Sequence, residues 1–256
     1  MSGTLVRKQG ARPISALEAL LPSIDFTRFA SLKGEFEAEG LTAIELAGEV
    51  IWAARHGLDY LVKIGGCEAK SDIDYLQRLG VRSVVAPMIE SGFAMSKYMG
   101  MLPNGAFDHV GVTIETVHAV DRIEEILDAG TKLTAVTIGR SDLTASFGGS
   151  GTNCPETLEK TLRVATAARA RGLEVTMGGS VDTRTRELMR EGHPLSEVID
   201  AVETRKVVMP IATFIEDGTL EDSITVESAL LDIRMQPLRV SLDAMQDRFE
   251  KIRSRI

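Results

Sequence analysis

The sequence predicts an α/β protein: a (β/α)8 barrel of TIM type with parallel strands and a C-terminal helical extension. Three observations predict it. Short, near-continuous apolar runs recur along the chain, as strands covered on both faces require. Amphipathic stretches that end in glycine separate them. The alternation repeats at roughly 25-residue spacing with no linker between the units.

The strand candidates follow in order. LKGEFEAEG at 32–40 is the first clear one, then YLVKIGG at 60–66 and SVVAPMIES at 83–91. HVGVTIET at 109–116, LTAVTIGRSDL at 133–143, LEVTMGGS at 173–180 and KVVMPIA at 206–212 complete seven. TLVRK at 4–8 is a weaker candidate for the eighth. Between the runs lie AIELAGEVIWAARHG, SDIDYLQRLG, HAVDRIEEILDAG and CPETLEKTLRVATAARARG. Their apolar residues recur three and four apart, and the closing glycine suits a left-handed helix terminus. Asp72, Asp74, Glu124 and Glu125 fall near helix starts or on solvated faces, where they complement the helix dipole. An open doubly wound sheet is the alternative fold, and the absence of a GxGxxG turn after an early strand counts against it.

The C-terminal segment has a different pattern. After Pro237 come Leu238, Leu242, Met245, Phe249, Ile252 and Ile256, a seam at heptad spacing with proline near the first turn. The expected division is a barrel over 1–222 and a helical segment over 223–256, packed on the barrel wall or on a neighbouring subunit. A homo-oligomer is therefore expected.

Composition narrows the partners. The chain has 256 residues, 44% of them apolar, and a formal net charge of -8 with both signs interspersed. That balance argues against nucleic acid or an anionic membrane surface as the main partner. No apolar run approaches the roughly 18 residues of a membrane span. Two cysteines, Cys67 and Cys154, form no CxxC pair, and a reduced, cytoplasmic setting is expected.

A barrel of this kind carries its site at the C-terminal ends of its strands. Glu37 and Glu39 close the first run, and Lys63, Gly65 and Gly66 lie in the second. Pro87 and Glu90 close the third, Glu115 the fourth, and Gly139, Arg140, Ser141 and Asp142 the fifth. Gly179 and Ser180 close the next. Two carboxylates on neighbouring strand ends, with no Cys or His partner, suit a hard cation such as Mg²⁺ or Mn²⁺. Such an ion leaves positions open for a 2-oxo acid and stabilises an enolate as a Lewis acid. Lys63 is placed to neutralise the same oxyanion, and the glycines let backbone N–H groups approach a substrate carboxylate. Asp142 or Ser141 could instead cap a short helix over SDLTASFG. His118, three residues after Glu115, and the GGSG run at 148–151 read more simply as a surface residue and a turn.

VGVTIETVHAVDRIEEIL followed by LTAVTIGRSDLTASFG resembles the signature region of the HpcH/HpaI aldolase and citrate lyase β-subunit superfamily. VVAPMIESGFAM resembles the strand that precedes it, and the likeness is clearest over 83–148. The resemblance implies a metal-dependent barrel enzyme that makes or breaks C–C bonds. It implies that Glu115 and Asp142 match the two metal ligands, and that C-terminal helices are exchanged in an oligomer, a trimer or hexamer. This chain departs from the pattern at three places. Lys63 replaces an arginine, FEAEG replaces a Glu-His-Gly, and SGFAMSKYMGMLPNGAFDH is shorter than the aldolase loop. Without the histidine, Glu37, Glu39 or Glu90 is expected to move the proton. The expected activity is a divalent-metal-dependent carbon–carbon lyase acting on a 2-oxo acid together with an aldehyde or acyl compound. A citryl-CoA or malyl-CoA lyase, or a barrel that binds without catalysis, are the alternatives.

Overall fold

Strands and helices alternate because their sequences punctuate them clearly. In the computed structural model, which describes residues 23–255, eight strands form a closed barrel in chain order. They are β1 (Ser31–Glu35), β2 (Asp59–Lys63), β3 (Ser83–Ala86), β4 (His109–Ile114), β5 (Ala135–Gly139), β6 (Glu174–Gly178), β7 (Ala201–Glu203) and β8 (Val207–Pro210). The helices that follow them are α1 (Ala43–Arg55), α2 (Lys70–Leu79), α3 (Gly92–Met101), α4 (Val117–Asp121), α5 (Ile123–Asp128), α6 (Arg140–Ser146), α7 (Pro155–Arg169), α8 (Thr183–Arg190), α9 (Ile211–Phe214) and α10 (Thr219–Arg253).

Local chemistry sets the helix ends. Thr42 and Glu45 form a capping box at the start of α1, and Asp182 and Thr185 form another at α8. Gly80, at φ 80°, ends α2 in the left-handed conformation that lacks a steric cost only for glycine. Pro155 opens α7, where its missing N–H removes no helical bond. The wall-facing sides of the strands are fully buried, with Val84, Val112, Ile114, Val136, Ile138, Val175 and Met177 at 0% exposure. Inside the barrel, Leu61, Val85, Ala201 and Val208 form a small apolar cluster.

The barrel is the one expected, with one strand reversed. From β1 to β7 every neighbouring pair is parallel, but β8 runs antiparallel to both β7 and β1. The reason is the connection: only residues 204–206 join β7 to β8, enough for a hairpin and far too few for a crossover. The strand beyond the seven clear candidates is thus the short β7. The TLVRK candidate at 4–8 lies outside the described residues. Two helices, α3 and α8, occupy stretches that sequence periodicity left unassigned, and the stretch 118–130 holds two short helices instead of one.

Residues 26–223 make one compact unit, and the residues from Ile224 onward belong to a second. Helix α10 runs through that boundary for 35 residues, so Pro237 lies inside it and not in its first turn. Proline removes one backbone donor and crowds the preceding turn, and the flanking turns carry the helix on. Along α10 Leu231, Leu238, Leu242, Met245, Phe249 and Ile252 are each more than half exposed. Among the described residues no helix is long and apolar enough to cross a membrane.

Candidate active site

Side chains alternate across a strand, so residues two apart on β1 share a face. Lys33 and Glu35 therefore both point into the barrel. There they join Lys63 from β2, Glu115 from the end of β4 and Glu203 from β7. Lys33 Nζ lies 2.5 Å from Glu203 Oε1 and 3.1 Å from Glu35 Oε1. Lys63 Nζ lies 3.9 Å from Glu35 Oε2 and 3.7 Å from Glu115 Oε2. The result is an alternating row of charges, Glu203–Lys33–Glu35–Lys63–Glu115, across the barrel interior.

Glycines make room for it. Parallel register sets Gly139 beside Gly178. A Cβ on Gly139 would stand 2.9 Å from Glu115 Cβ, and one on Gly178 would stand 2.8 Å from Glu203 Cγ. Glu115 and Glu203 thus lean over two positions that have no side chain. The backbone around the rim is held in unusual conformations: Met88 has φ 54° and Ser180 has φ 50°. Strain of this kind persists only where its surroundings enforce it, and it clusters at ligand sites. Met88 uses it to donate its N–H to Glu115 Oε1 at 2.9 Å.

The charges respond to burial. Only 3% of the Glu115 side chain is exposed, and burial raises its pKa above the ordinary carboxylate range. Lys63 and the Met88 N–H oppose that rise, and the nearby charge of Asp142 adds to it. Burial works against the charge of Lys33, yet Glu203 and Glu35 hold its pKa above normal. Burial also pushes Glu35 up, but Lys33 and Lys63 pull it below the usual range. The Lys63 ammonium makes no hydrogen bond to any described residue, so its three N–H donors can turn to an anionic ligand.

Asp142 lies in the first turn of α6 but does not cap it. Gly139 holds the cap position, and no side chain caps that helix. The Asp142 side chain is exposed and forms no hydrogen bond or ion pair with another described residue. Its proximity to Glu115 shows in the charge it exerts there.

The other expected site residues divide into two sets. Glu37 is exposed on the rim and leans on Gly65. Glu90, half-buried, accepts a 2.6 Å hydrogen bond from Thr116 Oγ1. Pro87 is half-buried at the end of β3, and Gly66 is held at φ 155°. Ser141 and Ser180 share a 3.0 Å hydrogen bond between their hydroxyls.

Glu39 has a different place. It pairs with Lys206, which is also 3.0 Å from Glu49 of α1, and Glu49 accepts from Tyr60 at 2.5 Å. That cluster lies on the outer side of β1, under α1, because Gly34 and Tyr60 face away from Lys33 and Glu35. The role of proton carrier therefore does not fall to Glu39. Arg140, expected to bind substrate, has its donors engaged within the protein. It is fully buried and spends all five donors on Gly178 O, Gly179 O, Thr152 O, Asn153 Oδ1 and Thr185 Oγ1. Burial lowers its pKa to about 10, against the pull of Asp182. Gly65 gives its N–H to Asp72 at 2.8 Å, so that donor is already taken. Gly179, at φ 80°, is needed for close approach to the Arg140–Ser141 backbone. His118 is exposed on α4.

Lys33, Glu35 and Glu203 do not stand out in the sequence as site residues. Charged residues inside a strand interrupt an apolar run, so they argue against the strand before they argue for a site. The alternation Lys-Gly-Glu in β1 was the available signal.

The donor set fits a divalent cation. Glu115 and Asp142 offer hard oxygens on adjacent elements, and the interior row with Asp142 sets four carboxylates against two ammonium groups. No cluster of three or more His, Cys, Asp or Glu arranged for a metal exists among the described residues, so water and substrate would supply the remaining ligands.

Comparison with known proteins gives one family and one fold. Solved structures with the same fold include an HpcH/HpaI aldolase from Desulfitobacterium hafniense, 18% identical over 75% of this chain and 81% of that one, with a TM-score of 0.59. A family protein from Burkholderia cenocepacia is 17% identical over 87% and 90%, with a TM-score of 0.60. The protein CitE from Mycobacterium tuberculosis, in complex with magnesium and acetoacetate, is 18% identical over 86% of this chain and 93% of that one, with a TM-score of 0.54. Comparison with curated protein sequences gives no match. The model of the HpcH/HpaI aldolase/citrate lyase family matches residues 59–198, more than half of the sequence, and the chain belongs to that family.

Proposed function

We propose that the protein is a divalent-metal-dependent carbon–carbon lyase of aldolase type, acting on a small 2-oxo acid at the rim of the barrel. Family membership supports lyase-type chemistry. The observation that carries the finer reading is Lys63: an ammonium without a hydrogen bond to any described residue, beside the buried Glu115, with the exposed Asp142 close by. The magnesium and acetoacetate bound by the M. tuberculosis neighbour support a divalent cation beside a small oxo acid.

Glu115 and Asp142 are the residues that would hold Mg²⁺ or Mn²⁺. When bound, such an ion supplies Lewis-acid polarisation of an oxo group. Lys63 binds the substrate carboxylate or the developing oxyanion as a point charge, without the fork geometry of arginine. Glu37 and Glu90 remain at the rim as groups able to take and return a proton. Ser141, Ser180 and the Gly179 turn line the same rim beside Asp142. The second substrate or product is an aldehyde or acyl compound, and the working form is a homo-oligomer, a trimer or hexamer.

The test is exchange of the C3 protons of pyruvate in D₂O, followed by NMR with Mg²⁺ or Mn²⁺ and with EDTA as control. Metal-dependent exchange is expected. Asp142→Asn is expected to lower it on the order of 10²–10³-fold, the usual loss for one principal electrostatic group, with the fold unchanged by circular dichroism. Absence of exchange with pyruvate and with longer 2-oxo acids, under either metal, would overturn the proposal.

A further inference from the structure

We infer that Glu35 is a positioning residue: it holds Lys63 off Glu115, so that Glu115 stays available to a cation. The inference rests on the reading of Glu115 and Asp142 as cation ligands. It is carried by an anomaly in the distances. An ammonium and a carboxylate in direct contact normally close to about 2.7–2.9 Å, because a charge-assisted hydrogen bond is short. Lys63 closes on neither partner. Its Nζ stands 3.7 Å from Glu115 Oε2 and 3.9 Å from Glu35 Oε2.

Both carboxylates are fixed from behind. Glu35 Oε1 is held by Lys33 at 3.1 Å, and Lys33 is anchored in turn on Glu203. Glu115 Oε1 is held by the Met88 N–H. Each acid therefore presents its remaining oxygen, Oε2, to the same ammonium. Lys63 is suspended between two anions that cannot follow it. Glu115 Oε2 is the oxygen for which Lys63 and a cation compete. Glu35 supplies the second station that lets Lys63 yield it. Without the Glu35 charge, Lys63 has one partner left and pairs with Glu115 directly.

This makes predictions of opposite sign. The full-length protein, stripped with EDTA, is titrated with Mn²⁺, and free ion is read by electron paramagnetic resonance. Glu35→Gln should weaken Mn²⁺ binding about tenfold, the scale of a close charge coupling. Lys63→Gln should tighten it by a similar factor. The double variant should bind as tightly as Lys63→Gln alone, because Glu35 acts only through Lys63. A Glu35→Gln protein that binds as wild type does, or a double variant weakened as much as the single, overturns the inference. A wild-type protein that takes up no Mn²⁺, or that binds equally well after Asp142→Asn, overturns the cation-site reading and this inference with it. If circular dichroism shows Glu35→Gln unfolded, Lys63→Gln decides alone: weaker binding overturns the proposal.

Discussion

At Gly178 the space for one methyl group decides whether the interior charges keep their places. A Cβ there would lie 2.8 Å from Glu203 Cγ and 2.9 Å from Glu203 Oε1. Glu203 cannot simply retreat, because Lys33 holds that same oxygen. Gly178→Ala must therefore shift β6 or break the Glu203–Lys33 pair. The expected cost is about 1–3 kcal/mol, measured by denaturant unfolding. Gly151→Ala serves as the control: nothing lies within 4 Å of its Cβ position. It should stay within about 0.5 kcal/mol of wild type. Equal effects at the two positions would refute the packing argument. At this scale the sequence was legible where a residue ends an apolar run, as Glu115 and Lys63 do. It was not legible where a polar side chain turns inward or outward according to strand register. Glu39 and Glu35 are four residues apart, and the end of β1 between them puts one under α1 and the other in the barrel.

Among the elements, α6 shows how a loop and two strands are tied behind the rim. Arg140, its first residue, bonds both carbonyls at the end of β6, the 152–153 loop and Thr185 in α8. Asn153 in turn donates to Asp182, the cap of α8, at 3.2 Å. The guanidinium fork matches this set of acceptors, and a lysine ammonium has neither the reach nor the number of donors. Arg140→Met leaves several buried acceptors without donors and should destabilise the barrel by at least about 3 kcal/mol. In thermal unfolding, loss of activity should then track loss of fold. Asp142→Asn should do the reverse, keeping the melting temperature and losing exchange. A stable Arg140→Met protein with impaired oxo-acid binding would return Arg140 to the substrate. The "IGRSD" stretch could not reveal this division, since Arg140 and Asp142, two positions apart at a strand end, look alike until the turn sends one inward. The hairpin from β7 to β8 was equally hidden: a three-residue strand gives no period, and the apolar run of β8 carries no sign of its direction.

On the scale of the whole molecule, the barrel was legible because repetition averages over local errors; the C-terminal helix was legible as an apolar seam. The seam is at Leu231, Leu238, Leu242, Met245, Phe249 and Ile252, with Leu238 70% exposed and Met245 61%. Its spacing of seven, four, three, four and three residues is that of a coiled-coil face. An exposed apolar row of this length is rarely left to solvent in a soluble chain. A second copy of the chain is the occupant that fits the proposed homo-oligomer. Each seam residue points to the same side of α10, so charges at two of them oppose burial without altering helix propensity much. Leu242→Glu with Phe249→Glu should raise the dissociation constant of the oligomer by about a hundredfold or more, the weight of two central anchors. Sedimentation velocity should show the wild type as a trimer or hexamer and the double variant shifted toward monomer. Far-ultraviolet circular dichroism should show the helical content kept. A wild type that sediments as a monomer at every concentration would remove the oligomer, and with it the reason for the seam. An oligomer untouched by the two glutamates would mean that another surface holds the copies together.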